Sequence, residues 1–375
     1  MKIVINALPY RKNSSGIGVM IRDLFGAFVG MTKRRCQIIM PHDSPAFPTG
    51  GTGETVRISW NHRQSFCRIF FQAFAMGRRY CKDAVLLTTD SKCPFFLPKS
   101  CTLIPLITDL AVYRMPEVYQ RSRVFLWRLQ YRYVRRRANV FLAISEFTKK
   151  EMTEIWHIPP EKIAVVPCAC SPAMVRERSR ERIVQLREKY NLPEKFILFT
   201  GNTNPRKNLN RLIHAFDHAK SEGHLPHQLI IAGEQGWKFN RGQALQDVQN
   251  REDVRFIGFV PDEDMPALYT AASLFAFPTL YEGFGIPVLE AQSCGVPVLT
   301  SNCSSLPEVG GDGALYVDPY NVEDIANGIM RVLNDPALSK QLTEQGFQNV
   351  NRFSWRASAE RLSKIIELKT GPYGF

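Results

Sequence analysis

The segment Tyr281–Glu290 carries residues whose types and spacing suit a polar, charged ligand. Pro287 favours the first turn of a helix, where its missing N–H is not needed. The loop Gly283–Ile286 lets backbone N–H groups approach a ligand, and a helix N-terminus favours an anion. Glu282 in the loop and Glu290 in the helix would then face one molecule, as acceptors of hydrogen bonds from sugar hydroxyls. The alternative is two solvated surface acids beside an ordinary turn.

A second segment, Gly201–Asn208, follows an apolar strand and precedes a helix, for which Asn208 is a candidate N-cap. Most Arg-Lys pairs are merely solvated surface. However, Arg206 and Lys207 lie at a strand-to-helix turn in the same half of the chain as the two glutamates. Since such turns bind phosphates in doubly wound sheets, the pair is predicted to contact a diphosphate.

The elements that must position these residues alternate between apolar strands and helices, which predicts an α/β protein with parallel sheets. A chain of 375 residues favours two domains. We predict residues 1–175 as one Rossmann-like domain, residues 176–355 as a second, and residues 356–375 as a final helix. The predicted strands are Ile3–Ala7, Cys36–Met40, Val85–Thr88, Thr102–Ile107, Phe141–Ile144, Phe196–Thr200, Leu229–Ala232, Val254–Ile257, Leu274–Phe277, Val298–Thr300 and Ala314–Val317.

Several segments together resemble glycosyltransferase family 4, which has the GT-B fold of two Rossmann-like domains facing across a cleft. The family's pattern of two glutamates separated by seven residues is matched by Glu282 and Glu290. Phe199–Lys207, Phe256–Asp264, Leu268-Tyr269 and Ser301–Val309 resemble the family in order and spacing. The resemblance covers nearly the whole chain, is strongest from about residue 195 to 355, and is closest to bacterial mannosyltransferases that build O-antigen or capsule chains.

The resemblance implies a nucleotide diphosphate sugar as donor, and it assigns roles to individual residues. Lys207 and Arg206 would neutralise the diphosphate, Glu290 would bind the ribose hydroxyls, and Glu282 would contact the donor sugar. Phe259 and Val260 would border the base. Gly16 and Gly18 match the glycine loop of the N-terminal domain, which meets the diphosphate as the cleft closes. The backbone that would hold the sugar and phosphate is that of Gly283, Phe284, Gly285 and Ile286. The final helix is expected to return to the N-terminal domain.

The segment Leu106–Leu110 departs from the family, which usually has His-Asp there. Thr108 stands in place of the His that faces the donor sugar, and Asp109 remains as a catalytic candidate. The overall resemblance favours GDP-mannose as the donor. A Thr is too short to reach the 6-hydroxyl of a hexose, so a 6-deoxy-hexose donor is an alternative. The departure also leaves open a non-catalytic partner subunit of a polysaccharide assembly complex.

The expected reaction is a retaining, metal-independent hexosyl transfer by front-face substitution, with no cofactor. Arg206, Lys207 and helix N-termini would stabilise the charge that grows on the leaving diphosphate. The only Asp-x-Asp, at Asp262–Asp264, falls in the segment assigned to the base, so no metal site is predicted. A nicotinamide dehydrogenase is disfavoured because no Gly-x-Gly-x-x-Gly follows the first strand.

The basic residues are distributed unevenly. Residues 1–175 contain 26 Lys and Arg against 11 Asp and Glu, whereas the remainder contains 22 against 24. Two basic, aromatic-rich stretches, Gln64–Lys82 and Arg121–Arg137, suit the interface of an anionic membrane. The alternative is a core-facing aromatic stripe with a solvated charged face. No nucleic-acid module is recognisable, and no apolar run reaches the length of a membrane span. We therefore expect a cytoplasmic protein, peripheral on the inner face of the membrane. Its acceptor would be lipid-linked or an oligosaccharide, and other polysaccharide-assembly enzymes are possible partners.

Overall fold

The computed structural model describes residues 1–10, 16–59, 70–90, 93–236 and 239–370. The chain divides into two compact units, each built around its own parallel sheet. The N-terminal unit comprises Met1–Cys168 together with Ser354–Phe375, and the C-terminal unit comprises Ala169–Phe353.

The N-terminal unit contains a seven-stranded sheet in the order β3-β2-β1-β4-β5-β6-β7, in which every pairing is parallel. Its central strands are apolar and buried on both faces, as expected where helices cover a parallel sheet. The strands are β1 (Lys2–Asn6), β2 (Cys36–Pro41), β3 (Gly53–Ile58), β4 (Ala84–Thr89), β5 (Thr102–Ile107), β6 (Phe141–Ala143) and β7 (Ile163–Val165).

The helices of this unit begin with α1 (Gly16–Met20), which continues through a π-helical turn at Ile21–Phe25 into α2 (Gly26–Met31). Gly16 and Gly18 therefore lie in the first helix, whereas the sequence predicted a loop as far as Gly18. Among the described residues, the other α-helices before the second unit are α3 (Met76–Tyr80), α4 (Ala111–Arg114), α5 (Arg121–Arg137) and α6 (Glu146–Trp156).

The C-terminal unit contains a six-stranded parallel sheet in the order β10-β9-β8-β11-β12-β13. Its strands are β8 (Phe196–Thr200), β9 (Gln228–Ala232), β10 (Val254–Gly258), β11 (Leu274–Phe277), β12 (Val298–Ser301) and β13 (Ala314–Val317). Its helices are α7 (Arg180–Tyr190), α8 (Leu209–Gly223), α9 (Arg241–Ala244), α10 (Met265–Ala271), α11 (Ile286–Ser293), α12 (Leu306–Gly310), α13 (Val322–Asn334) and α14 (Pro336–Val350).

The final helix, α15 (Trp355–Thr370), belongs to the N-terminal unit and packs against α2, which confirms the expected return. Leu362 and Ile366 are buried on one face of this helix. The Ser358 hydroxyl donates to the Pro167 carbonyl at 2.7 Å. Within the described part of the chain, no helix is both long and apolar enough to cross a membrane.

The elements that were not predicted include β3, β7 and α7. β3 and β7 are the two edge strands of their sheet; β3 exposes polar residues and lacks a continuous apolar run, and β7 has only three residues. α7 buries only Leu186, so the sequence Arg180–Tyr190 shows charge rather than an apolar stripe. Its N-terminus is fixed by Ser179, whose hydroxyl accepts a hydrogen bond from the Arg182 N–H.

Candidate active site

The two segments singled out from the sequence meet at the carboxyl ends of neighbouring strands. β8 pairs with β9 on one side and with β11 on the other, so the order of strands reverses between β8 and β11. A reversal of this kind opens a crevice at the carboxyl edge of the sheet, where ligands bind in open α/β sheets. The chain after β8 carries Arg206 and Lys207, and the chain after β11 carries Glu282.

Arg206, Lys207 and Glu282 form a compact ion cluster. Lys207 Nζ lies 2.8 Å from Glu282 Oε1, and Arg206 contacts the same oxygen at 3.0 Å. Arg206 also donates to the Tyr281 carbonyl at 2.9 Å, and the Leu280 N–H donates to the Arg206 carbonyl at 2.8 Å. These contacts hold the two loops together, so three of the predicted site residues are brought into one group.

The electrostatics of this cluster are those of a buried site. Lys207 and Glu282 are both buried, and Lys207 Nζ lies 4.5 Å from the centre of the Phe277 ring. Burial by itself would raise the pKa of the Glu282 carboxyl, but the charges of Arg206 and Lys207 lower that pKa below its usual value. The group is therefore fully ionised near neutral pH. Two cations for one carboxylate leave an excess of positive charge facing any ligand.

Asn208 occupies the N-cap position before α8, but its side chain makes no capping bond. Its amide instead donates to the carbonyls of Pro278 and Pro319 at 2.9 and 2.6 Å, and so joins three loops at this edge of the sheet. Asn204 caps a separate 3-10 turn, Pro205–Lys207, where its side chain accepts from the Arg206 N–H at 3.2 Å. Asn208 therefore occupies the predicted N-cap position but makes no capping bond, because its Oδ1 accepts from the Arg211 guanidinium at 2.9 Å.

Two serines that follow β12 fix the backbone of the turn before α11. Ser305 donates to the carbonyls of Glu282 and Phe284 at 2.9 and 2.7 Å, and Ser304 accepts from the Glu282 N–H at 3.2 Å. Gly285 has φ of +108°, and a Cβ there would lie 2.7 Å from Leu306 Cδ2. Only glycine fits this position. Pro287 lies in the first turn of α11 as predicted.

Glu290 lies one helical turn further along α11 and is held by a residue that the sequence argument assigned no role. The Tyr269 hydroxyl donates to Glu290 Oε2 at 2.8 Å and lies 2.9 Å from Thr200 Oγ1. Burial raises the pKa of the Glu290 carboxyl to about 7, although the bond from Tyr269 opposes that rise. The only sequence signal for Tyr269 was its place in the Leu268-Tyr269 pair, within the segment that resembles family 4.

The residues predicted to border the base lie just after β10. Phe259 presents 45% of its side chain to solvent, whereas Val260 is buried in the core of the C-terminal unit. Of the neighbouring acids, Asp264 is buried and held by Arg182 and Lys189 at 2.6 and 2.7 Å. The ion pairs of Asp264 with these two residues thus connect α7 to the start of α10.

The predicted site residues of the N-terminal unit follow β5. The Thr108 N–H and hydroxyl both donate to the Asp90 carboxylate at 2.7 Å. Asp109 accepts from the Ala111 N–H, in the first turn of α4, at 3.0 Å. Asp90, which follows β4 and has φ of +44°, was not predicted as a site residue. Nothing in the sequence indicates that the Thr108 hydroxyl donates to Asp90, which follows the neighbouring strand β4.

Comparison with known proteins bears directly on this geometry. The profile of glycosyl transferases group 1 matches residues 183–349, which include the ion cluster and Glu290. O-antigen chain mannosyltransferase B of Escherichia coli is 34% identical over 264 residues, which cover 70% of this chain and 69% of that protein. This chain belongs to the group 1 glycosyltransferase family. A further E. coli relative, the serotype-specific mannosyltransferase WbdA, is 35% identical over 227 residues, which cover 60% of this glycosyltransferase but 28% of that longer protein.

Solved structures agree on the fold. Sucrose-phosphate synthase of Thermosynechococcus elongatus superimposes with a TM-score of 0.76 at 19% identity, over 98% of each chain. WaaG, a glycosyltransferase involved in lipopolysaccharide biosynthesis, gives a TM-score of 0.72 at 16% identity, over 98% of this chain and 100% of that one. The fold of this glycosyltransferase is therefore GT-B, as the sequence predicted.

Proposed function

We propose that this glycosyltransferase transfers a hexose, with retention of configuration, from a nucleotide diphosphate sugar to a growing bacterial surface polysaccharide. GDP-mannose is the favoured donor because two similar E. coli proteins are mannosyltransferases, one of them of the O-antigen chain. The acceptor would be lipid-linked or a free oligosaccharide.

The observation that carries this proposal is the ion cluster of Arg206, Lys207 and Glu282 beside Glu290. The two cations suit a diphosphate, for which charge-assisted hydrogen bonds are strong. Glu282 is fixed and ionised, so it can accept a hydrogen bond from a sugar hydroxyl. Glu290, held by Tyr269, can accept from the ribose hydroxyls, which would favour its ionised form and release a proton near pH 7.

The proposed step breaks the bond between the anomeric carbon and the β-phosphate oxygen. The acceptor oxygen bonds to the same face of that carbon, and its proton passes to the departing diphosphate. Lys207 and Arg206 stabilise the negative charge that develops there, so the step requires no metal ion. No protein nucleophile takes part.

A calorimetric comparison tests the donor site. Wild type is expected to bind GDP-mannose more tightly than UDP- or dTDP-sugars, and Lys207→Ala and Glu290→Ala are each expected to weaken binding about ten- to a hundredfold. Arg331→Ala, on an exposed face of the same unit, serves as the control. Unchanged affinity in both site variants would reject the site. Donor binding without product from any lipid-linked acceptor would instead support a non-catalytic partner subunit.

One observation favours a second candidate, a 6-deoxy-hexose donor. The Thr108 hydroxyl gives its only proton to Asp90, so it has none for a 6-hydroxyl of the donor sugar. Sites discriminate strongly when a polar group would be left unpaired. The test compares turnover of GDP-mannose with that of GDP- and dTDP-linked 6-deoxy sugars. A strong preference for the 6-hydroxylated donor rules out this candidate.

The proposed acceptor places this glycosyltransferase on the cytoplasmic face of an anionic membrane. Support comes from the basic excess of residues 1–175 and from α5, which is basic along its whole length. Of the other basic stretch, Gln64–Lys82, residues 64–69 lie outside the described residues, and Phe70 and Phe74 are exposed. Liposome flotation with neutral and anionic vesicles checks this association, which should weaken as salt is raised.

A further inference from the structure

The outward face of α5 combines arginines with exposed apolar side chains. Seven of its seventeen residues are Arg and none is acidic. Residues three or four apart share a helix face, so Phe125 and Leu129 lie on the face of Arg132 and Arg136. Phe125, Leu126 and Leu129 leave 69%, 59% and 48% of their surfaces exposed. Such a face suits the boundary between headgroups and acyl chains better than it suits water.

The C-terminal half of this helix forms one wall of a cavity of about 550 Å³ within the N-terminal unit. Its cationic lining comprises Arg128, Arg132, Arg135, Arg136 and Lys162, together with the imidazole of His157, and none of its described lining residues is acidic. Tyr113, Phe141 and Trp156 supply aromatic surface. Four guanidinium groups around one cavity, without a carboxylate, match the oxygens of a phosphate.

The arginines of this cavity fall into two sets, one held by contacts within the unit and one exposed. Arg135 donates to the Trp156 carbonyl at 2.7 Å, and Arg128 lies 5.1 Å from the Tyr113 ring and contacts the Val112 carbonyl at 3.4 Å. Arg132 and Arg136 are exposed and have no ion-pair partner among the described residues. By contrast Arg114, in the same unit, is paired with both Glu151 and Glu154. Of the four arginines, two are therefore fixed by contacts and two remain available to a ligand.

We propose that this cavity binds the phosphate monoester or diphosphate headgroup of a membrane lipid, while Phe125, Leu126 and Leu129 enter the apolar layer. This deepens the membrane association proposed above by naming the site and the chemistry of its ligand. A lipid is favoured over free phosphate because the apolar side chains share the helix face with the available arginines. A doubly charged headgroup is favoured because at least five cationic side chains line one cavity.

Flotation with two kinds of phosphatidylcholine vesicle tests the proposal. One kind carries phosphatidic acid, a phosphate monoester, and the other carries phosphatidylglycerol, a diester, at matched surface charge. Wild type is expected to bind the monoester vesicles about tenfold more tightly. Arg132→Gln/Arg136→Gln should lose that preference. Arg361→Gln/Lys364→Gln removes the same charge from exposed positions on α15 and should keep it.

The following results would contradict the proposed lipid site. Equal binding of wild type to both vesicles would leave only general charge attraction and overturn the site, as would a preference that persists in Arg132→Gln/Arg136→Gln. Release of the protein by inorganic pyrophosphate as efficiently as by short-chain phosphatidic acid would assign the cavity to free phosphate instead. Calorimetry with GDP-mannose is run in parallel, because loss of donor binding counts against the proposed function and not against the lipid site.

Discussion

The ion cluster of the C-terminal unit and the face of α5 in the N-terminal unit use the same cationic residue types in opposite ways. Arg206 and Lys207 are largely buried and share one carboxylate, and each is fixed by further contacts. Arg132 and Arg136 are exposed and have no acid nearby among the lining residues of their cavity. In the C-terminal unit the two cationic side chains are held in position without a ligand. On α5 the two cationic side chains are exposed and can pair with a ligand.

The difference shows that burial determines whether a cationic side chain needs a partner within the protein. A buried cation needs a partner, so the proposed donor would bind the cluster by exchanging or adding contacts within a fixed frame. An exposed cation needs none, so many can accumulate on one surface at little cost to stability. Substitutions in the two regions should therefore differ in size and in kind.

The largest effect is expected for Lys207→Met. Glu282 would stay buried with Arg206 as its only cation, which should lower the free energy of unfolding by about 3 kcal/mol. Donor affinity should fall about ten- to a hundredfold. Adding Glu282→Gln removes the buried charge and should restore stability but not affinity. Chemical denaturation and calorimetry measure the two effects, and recovery of affinity in the double variant would contradict the assignment of Lys207 to the diphosphate.

Glu290→Gln should change how stability depends on pH. The pKa of Glu290 is raised from 4.5 to about 7, so the folded state holds its proton more tightly than the unfolded state. That contribution is present below pH 4.5 and is lost as pH rises to about 7. The ligand-free variant should lack this loss and be more stable than wild type by up to about 3 kcal/mol at pH 8. Parallel unfolding curves for the two proteins from pH 5 to 8 would refute the raised pKa.

Tyr269→Phe sharpens the same comparison with a smaller change. Removing the hydroxyl deletes its contacts with Glu290 and Thr200, at a cost of about 1 kcal/mol in stability. Because the bond from Tyr269 lowers the pKa of Glu290, that pKa should rise further in the variant. The measurement is the pH at which donor affinity is half-maximal. A positioning role predicts an upward shift of that pH, whereas a purely structural role predicts lower stability with no shift.

The smallest effect is expected for Arg132→Gln/Arg136→Gln, whose unfolding free energy should stay within about 0.5 kcal/mol of wild type. Arg114→Gln, in the same unit, breaks contacts at 2.6 and 3.0 Å with Glu151 and Glu154 and should cost more, because Glu151 is buried. Thermal unfolding compares them. A large loss of stability in the α5 variant would mean that these arginines hold the unit together rather than face a ligand.

The sequence predicted the central strands, the turn before α11 and the residues of the ion cluster. Buried parallel strands read as apolar runs, and Gly-rich turns before a proline are local in sequence, so neighbouring residues carry the information. The edge strand β3 and the helix α7 were missed because they lack such runs, and β7 was missed because it has only three residues. No sequence pattern predicted the π-helical turn at Ile21–Phe25 either.

What the amino-acid sequence determined by itself was the α/β class, the family, and which residues have the chemistry to bind a charged sugar donor. Tertiary structure alone decided which of those residues touch. Strand order brings the loops after β8 and β11 together, so Lys207 meets Glu282 across 75 positions of the chain. It likewise brings Tyr269 to Glu290, Asp90 to Thr108, and the side-chain amide of Asn208 to the carbonyls of two prolines. Partners of this kind depend on long-range packing, which no local pattern of residue types encodes.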